Sequence, residues 1–299
     1  MKLPSSMNKI HLIGMIAAGF LILLMIVIVN LSDKEEVRQE KIGLIILGDI
    51  KINGWNAAHY NGIKYACEKF GLELMVRDNV RENSGQCPAA IKDLADNGAS
   101  MIFLASYSYS REVQDLVREY PNIAFATNSA EVHGKNLTSY FVRMYQARYL
   151  AGADVLTYHQ DEDATAQVAD KYGVDFIAYN EILSGYSEHY LTSVASRWDL
   201  YYYDIIQRYL KGEMNSVKNY WLGIDIGAVM LSEYSPRVTL EEIRQIDSLK
   251  QELINDKLIF SGLIYDNEGN IRCEEGEAIS DDTLLENINW LVKGVEVLE

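Results

Sequence analysis

Of the 299 residues, 48% are hydrophobic and 23% charged, the balance of a folded chain rather than a disordered one. Forty-three acidic against 27 basic residues give a net charge of −16, and with no cluster of Lys and Arg to neutralise phosphates the composition excludes a nucleic-acid partner. Cys67, Cys87 and Cys273 are odd in number and lack CxxC spacing, which argues against a disulfide framework or zinc site and leaves one bridge between two of them as the alternative.

Leu12 to Val29 is an unbroken apolar run, preceded by Lys2 and Lys9 and followed by Asp33, Lys34, Glu35 and Glu36. It is long enough to cross a bilayer, whereas a signal-peptide core holds about 7–15 apolar residues. Residues 1–32 therefore read as a membrane anchor with a cytoplasmic tail and everything after it outside. A cleaved signal peptide is the rival reading. No small-x-small cleavage site stands out after the run, and no Cys follows it to carry a lipid.

Lys41 to Asp49 is continuously apolar up to Gly-Asp, as a parallel strand buried on both faces would be. A turn over Ile52 to Asn56 leads into a helix, Ala57 to Phe70, stopped by Gly71. A strand over Leu72 to Val76 and a helix over Ala89 to Asn97 follow. Met101 to Ala105 reads as a strand, Arg111 to Tyr120 as a helix, and Ile123 to Thr127 as a fourth strand. The rhythm returns as strand, helix, strand at Ala153–Tyr158, Ala164–Tyr172 and Val174–Tyr179. A long helix spans Trp198 to Leu210, and Tyr220 to Leu231 resembles another strand region. Thr239 and Glu242 form a capping-box pattern opening a helix over Val238 to Asp256. Asp266 to Gly269 signals a hairpin, and Ser280 to Leu298 reads as a final capped helix. Strands and helices alternating over short loops predict an α/β chain with doubly wound parallel sheets.

The motifs of enzymes are missing from the sequence: it holds no GxSxG, GxxxxGK[ST], HExxH or post-strand GxGxxG. The histidines are scattered, without metal-ligand spacing, so neither a metal nor a cofactor is expected. Asp161-Glu162-Asp163 lacks the alternating ligands of a calcium loop and reads as the cap of the helix at Ala164.

Polar and aromatic residues instead gather at the carboxyl ends of the predicted strands, where open α/β sheets bind ligands. These are Asp49, Trp55 and Asn56 after the first strand, Ser106 and Tyr107 after the third, His159 after Ala153–Tyr158, and Asn180 after Val174–Tyr179. Trp and Tyr faces stack planar rings, while Asn, Asp and His read ring-edge donors and acceptors. The set suits a flat heterocycle such as a purine. Singly, Trp55 reads equally well as a hydrophobic staple and His159 as a loop histidine.

The blocks GWNAAHYNGIKYACEKFGLEL, IKDLADNGASMIFLASYSYSREVQDLVREYPNIAFA, YQARYLAG, ADVLTYHQDED, YLTSVASRWDLYYYDIIQRYLKGE and INWLVKGV, in that order, resemble the basic membrane protein (PnrA-like) family of ABC-importer solute-binding proteins. The resemblance implies a type I periplasmic-binding-protein-like fold of two lobes, a purine nucleoside or base as ligand, an ABC permease as partner, and no enzymatic activity. It implies stacking by Trp55 and polar contacts by His159 and Asn180, the last standing where the family usually carries Asp. After Tyr149-Leu150-Ala151-Gly152 the family continues with a strand–helix–strand–helix stretch of roughly 60–70 residues; here Gly152 runs directly into Ala153-Asp154-Val155. The expected organisation is residues 40–150 as the first lobe, 153–222 as an incomplete second lobe, and 223–299 as a return to the first lobe with a C-terminal helix. The anchor without a lipidation Cys also fits a second class, a membrane-anchored sensory or regulatory module of the same fold.

The charge asymmetry around the apolar run predicts that protease added to intact spheroplasts digests the Lys41–Glu299 portion. Protection of that portion would reverse the orientation.

Overall fold

The continuously apolar segment Lys41–Ile45 forms β1, buried on both faces. The structure is a computed structural model and describes residues 40–295 apart from 53, 129–133, 153–155, 158–163, 181–184, 215–218 and 256. The expected anchor, residues 1–32, lies outside the described residues, and among those described no helix is long and apolar enough to cross a membrane.

Six parallel strands make the first sheet: β1, β2 (Glu73–Arg77), β3 (Ala99–Leu104), β4 (Ala124–Thr127), β5 (Leu137–Val142) and β9 (Asn219–Leu222), in the order β2-β1-β3-β4-β5-β9. Helices cover both faces. Ile42, Leu44, Met101 and Phe103 turn toward α1 (Trp55–Phe70) and α6 (Trp198–Leu210). Ile45, Ile102 and Leu104 turn toward α2 (Gln86–Asp96) and α3 (Tyr109–Val113). This alternation is the period of two that a doubly wound sheet requires.

The second sheet has four strands, β6 (Leu156–Thr157), β7 (Phe176–Tyr179), β8 (Tyr190–Ser196) and β10 (Val229–Leu231), in the order β10-β8-β7-β6 with only β10 antiparallel. Helix α4 (Met144–Ala151) lies against β8 and β10, and α5 (Ala164–Tyr172) against β7. The α/β class with mostly parallel sheets, read from the sequence, is the one observed; the reversal of winding expected of a doubly wound sheet is in the first sheet.

The lobe boundaries need correction. Tyr220–Leu231 is two strands, because Gly227, at φ 75°, turns the chain between Gly223 and Ala228. β9 then pairs with β5 in the first sheet and β10 with β8 in the second, so neither half of the boundary at residue 222 matches the pairing. The capped helix appears as α7 (Leu240–Ile254), with both hydrogen bonds of its Thr239–Glu242 box in place, but it packs on α4 rather than on the first sheet. The final helix, α8 (Asp281–Glu286), ends far short of Leu298. The helix read over Arg111–Tyr120 is α3 plus a 3-10 turn at Leu116–Glu119. The hairpin is present as β11 (Ile264–Tyr265) and β12 (Ile271–Cys273).

Helices α1 and α6 cross at Gly62. A Cβ there would lie 2.8 Å from the Asp199 nitrogen and 2.9 Å from the Trp198 carbonyl carbon, both backbone atoms that cannot swing aside. Gly62→Ala should therefore force the helices apart and lower stability by about 1–3 kcal/mol, seen as a lower urea midpoint; an unchanged midpoint would show that the crossing is loose.

Candidate functional site

The first sheet reverses its winding between β1 and β3, and the crevice outside the carboxyl ends of these two strands is the topological switch point where open α/β sheets take ligands. Two strand-end loops meet there. Gly54, at φ 101°, has a backbone that residues with a Cβ avoid, and it turns the loop after β1 straight into α1. Trp55 therefore opens the helix at the mouth of the crevice. Its indole Nε1 donates to the carbonyl of Ala105, just after β3, at 2.9 Å. The ring is half-buried, packs on His59 and edge-to-face on Trp198 at 5.5 Å, and has its N–H committed, so that donor is not available to a ligand.

The neighbouring candidates divide. Asn56 is buried and accepts from the Gly48 N–H at 3.1 Å, which fixes the β1 loop on α1. The Asp49 carboxylate accepts from the Lys51 N–H at 2.8 Å and so folds its own turn. Ser106 is buried and donates to Glu82, which also accepts from the Ser108 N–H at 3.0 Å. Glu82, on the loop after β2, thus ties that loop to the one after β3; nothing in its sequence neighbourhood marks it. Tyr107 is 45% exposed, lies beneath the Arg111 guanidinium, and lines an apolar cavity of about 290 Å³ with Phe141, Trp221 and Leu284. The structure thus brings Trp55, Asn56, Asp49 and Ser106 to one end of the first sheet.

Asn180 belongs to the second sheet. It sits after β7 at φ 56°, a left-handed conformation that Asn tolerates, and its N–H donates to the Val194 carbonyl at 2.8 Å. Its Oδ1 accepts from Ser196 at 3.4 Å, while its buried Nδ2 finds no partner among the described residues. No described contact joins Asn180 to Trp55. His159 lies outside the described residues.

Beneath Trp55 stands a buried polar chain that strand-end reasoning passes over. His59, fully buried, has its ring centroid 4.3 Å from Trp55 and stacks on Trp198 at 4.1 Å and 24°. Its Nδ1 meets the Tyr202 hydroxyl at 2.6 Å, and that hydroxyl meets Tyr140 at 3.1 Å. Burial raises the pKa of the Tyr140 hydroxyl, and the Asn128 side chain, at the end of β4, acts on it in the opposite direction, to lower it. The Asn128 Nδ2 and the His59 Nε2 find no partner among the described residues. Burial holds the His59 imidazole neutral, far below its ordinary pKa. The helical i, i+4 spacing of Trp55 and His59 is the sequence signal for this pair.

Among the described residues no group of His, Cys, Asp and Glu could hold a metal. All three cysteines are buried and unpaired, and burial pushes the Cys67 thiol up to about 12, too high for a nucleophile.

Residues 39–158 match the family of PnrA-like ABC transporter substrate-binding proteins. A purine-binding protein of Brucella abortus is 22% identical over 329 aligned positions, covering 86% of this chain and 93% of that protein. A putative ABC transporter glucose-binding protein of Haloferax volcanii is 20% identical over 336 positions, covering 89% and 82%. Both aligned lengths exceed this chain's 299 residues although part of the chain is left unaligned, so each relative carries residues without counterpart here. Among solved structures, an ABC transporter solute-binding protein from Conexibacter woesei superposes with a TM-score of 0.58 at 14% identity, over 73% of this chain and 97% of that one.

The neutral His59 gives a pH dependence of definite sign. Its folded pKa lies below the unfolded value of 6.5, so the unfolded chain binds the extra proton and stability is lost as pH falls below 6.5. The loss is at most about 1.4 kcal/mol per pH unit and precedes that from carboxylates held below their ordinary range, such as Asp281 beside Arg143. Denaturant melts of the native chain between pH 7 and 5 should show it, and His59→Gln should flatten that slope; equal slopes would assign the loss to other groups.

Proposed function

We propose that this chain, whose residues 39–158 match the PnrA-like family of ABC transporter substrate-binding proteins, is the extracytoplasmic ligand-binding component of an importer for a purine base or nucleoside, as a solute-binding protein and not an enzyme. The observation that carries this reading is Trp55, half-buried at the mouth of the switch-point crevice with its indole N–H bonded to the Ala105 carbonyl. Purines are planar and aromatic, and stacking on an indole is worth about 0.5–1.5 kcal/mol beyond the area buried. The Nδ2 groups of Asn128 and Asn180, without partners among the described residues, would supply donors for ring nitrogens or carbonyls, with His159 as a further polar contact. The name of the Brucella relative agrees with this class of ligand; the name of the Haloferax relative sets a sugar against it.

The permease is the second partner this reading requires, and the N-terminal apolar run would keep the binding domain beside it. We place the stretch missing relative to the relatives at the Gly152–Ala153 junction. There the second lobe would lose a wall of the cleft, and small-molecule sites normally bury about 70–90% of their ligand. The reading therefore includes weak binding.

Calorimetry with adenine, guanosine and glucose tests it. A purine should bind and glucose should not, and Trp55→Ala should weaken the purine at least about tenfold through lost stacking and contact area. Grafting the corresponding stretch of the Brucella relative after Gly152 should tighten binding. Glucose binding, or purine binding indifferent to Trp55→Ala, overturns the proposal.

A further inference from the structure

We infer that Glu82 reads the ligand by accepting an N–H from the edge of a purine base, a role that rests on the purine reading above. The first sheet runs β2-β1-β3. A bond between the loops after β2 and β3 therefore spans the end of β1, beside the switch point where such sheets take ligands. Glu82 makes that bond. Its Oε1 accepts both donors of the far loop, the Ser106 hydroxyl and the Ser108 N–H, the latter at 3.0 Å. Its Oε2 accepts no hydrogen bond from the described residues.

The loop that carries Glu82 is pinned close by. The Val80 N–H donates to the Ile46 carbonyl, just beyond β1, at 3.1 Å, and the Val80 carbonyl accepts from the Tyr109 hydroxyl of α3. Asn79 and Asn83 bracket this stretch in left-handed conformations, at φ 55° and 53°, which Asn tolerates better than most residues. The half-buried carboxylate is thus held in place before a ligand arrives, with one oxygen spent on the protein, and binding need not order it. A carboxylate oxygen accepts and does not donate. It matches the ring N–H of guanine or the amino group of adenine, and it repels a base edge that shows only nitrogen lone pairs. Its charge makes the bond stronger than a neutral one.

A tie between loops and nothing more is the competing explanation, and it would cost stability without choosing between bases. Calorimetry on the full chain with guanosine, adenosine and purine riboside separates the two. All three share a ribose, and purine riboside alone has no N–H on its base. In the native chain guanosine or adenosine should bind at least about tenfold more tightly than purine riboside. Glu82→Gln keeps the shape and one oxygen for Ser106 and Ser108, so the melting temperature should hold. Its amide N–H2 sets a donor where Oε2 was an acceptor. The variant should therefore weaken the preferred nucleoside at least about tenfold and should not weaken purine riboside. Equal losses for all three, or a lower melting temperature with affinities unchanged, would leave Glu82 a loop tie and overturn the assignment. If Glu82→Gln folds poorly, the native ranking decides, since equal native affinities for the three also overturn it. A native chain that binds none of them brings down the purine reading and this assignment together, whereas purine binding indifferent to Glu82→Gln brings down the assignment alone.

Discussion

At Gly62 the backbone of α1 approaches the first turn of α6 so closely that no side chain fits between them. The approach brings Trp198, Tyr201 and Tyr202 down onto Phe103 and Tyr140 of the first sheet, with ring centroids about 4–6 Å apart. His59 is enclosed by the same contact. A helix pair only slightly farther apart would leave the imidazole wet, free to protonate and free to turn. Dryness is what keeps it neutral, and neutrality is what makes a nitrogen without a partner among the described residues tolerable. Packing thus fixes protonation.

The two sheets are joined with the same economy of backbone contacts. The chain passes between them after β5, after β8 and after β9. Arg143, after β5, donates its N–H to Leu222 at the end of β9 at 2.7 Å, and Arg197, after β8, donates to Ala228 at 2.8 Å. The passages therefore bond to one another rather than crossing as independent linkers. Arg143 also lies 4.0 Å above the Trp221 ring and grips Asp281 through both guanidinium branches, at 2.9 Å for Nη1. That grip raises the Arg143 pKa and lowers that of Asp281. The C-terminal segment is thereby fastened across the passages, as its place in the lining of the cavity beside Tyr107 also shows.

Elements with one unmistakable local signal were legible in the sequence. β1 is an apolar run, α7 carries its capping box, and the hairpin has its Asp-Asn-Glu-Gly turn. β5 and β8 were not legible, because Thr138, Ser139, Thr192 and Ser193 break the apolar run yet are buried. Their hydroxyls find partners only in the folded chain, as Thr192 does on Ser232, 40 residues away. The tail beyond Glu286 keeps helical-looking apolar spacing in Ile288, Leu291, Val292 and Val295, but these side chains remain exposed; without a surface to bury its stripe, periodicity alone does not sustain a helix. At the site, Gly-Trp after the first strand marked Trp55. The spending of Asp49 and Asn56 on local turns depends on hydrogen-bond geometry that composition does not encode. The support from Trp198, 143 residues beyond Trp55, is a tertiary contact with no local trace.

β6 stands at the edge of the second sheet, where Leu156 is exposed, as are Val168, Tyr172 and Val174 on and beside α5. Next to it β7 is buried along its whole length, closed by β8 on one side and α5 above. The parallel pairing of β7 with β8 continues into the Asn180 N–H, which donates to the Val194 carbonyl, and this bond holds Asn180 in its left-handed conformation.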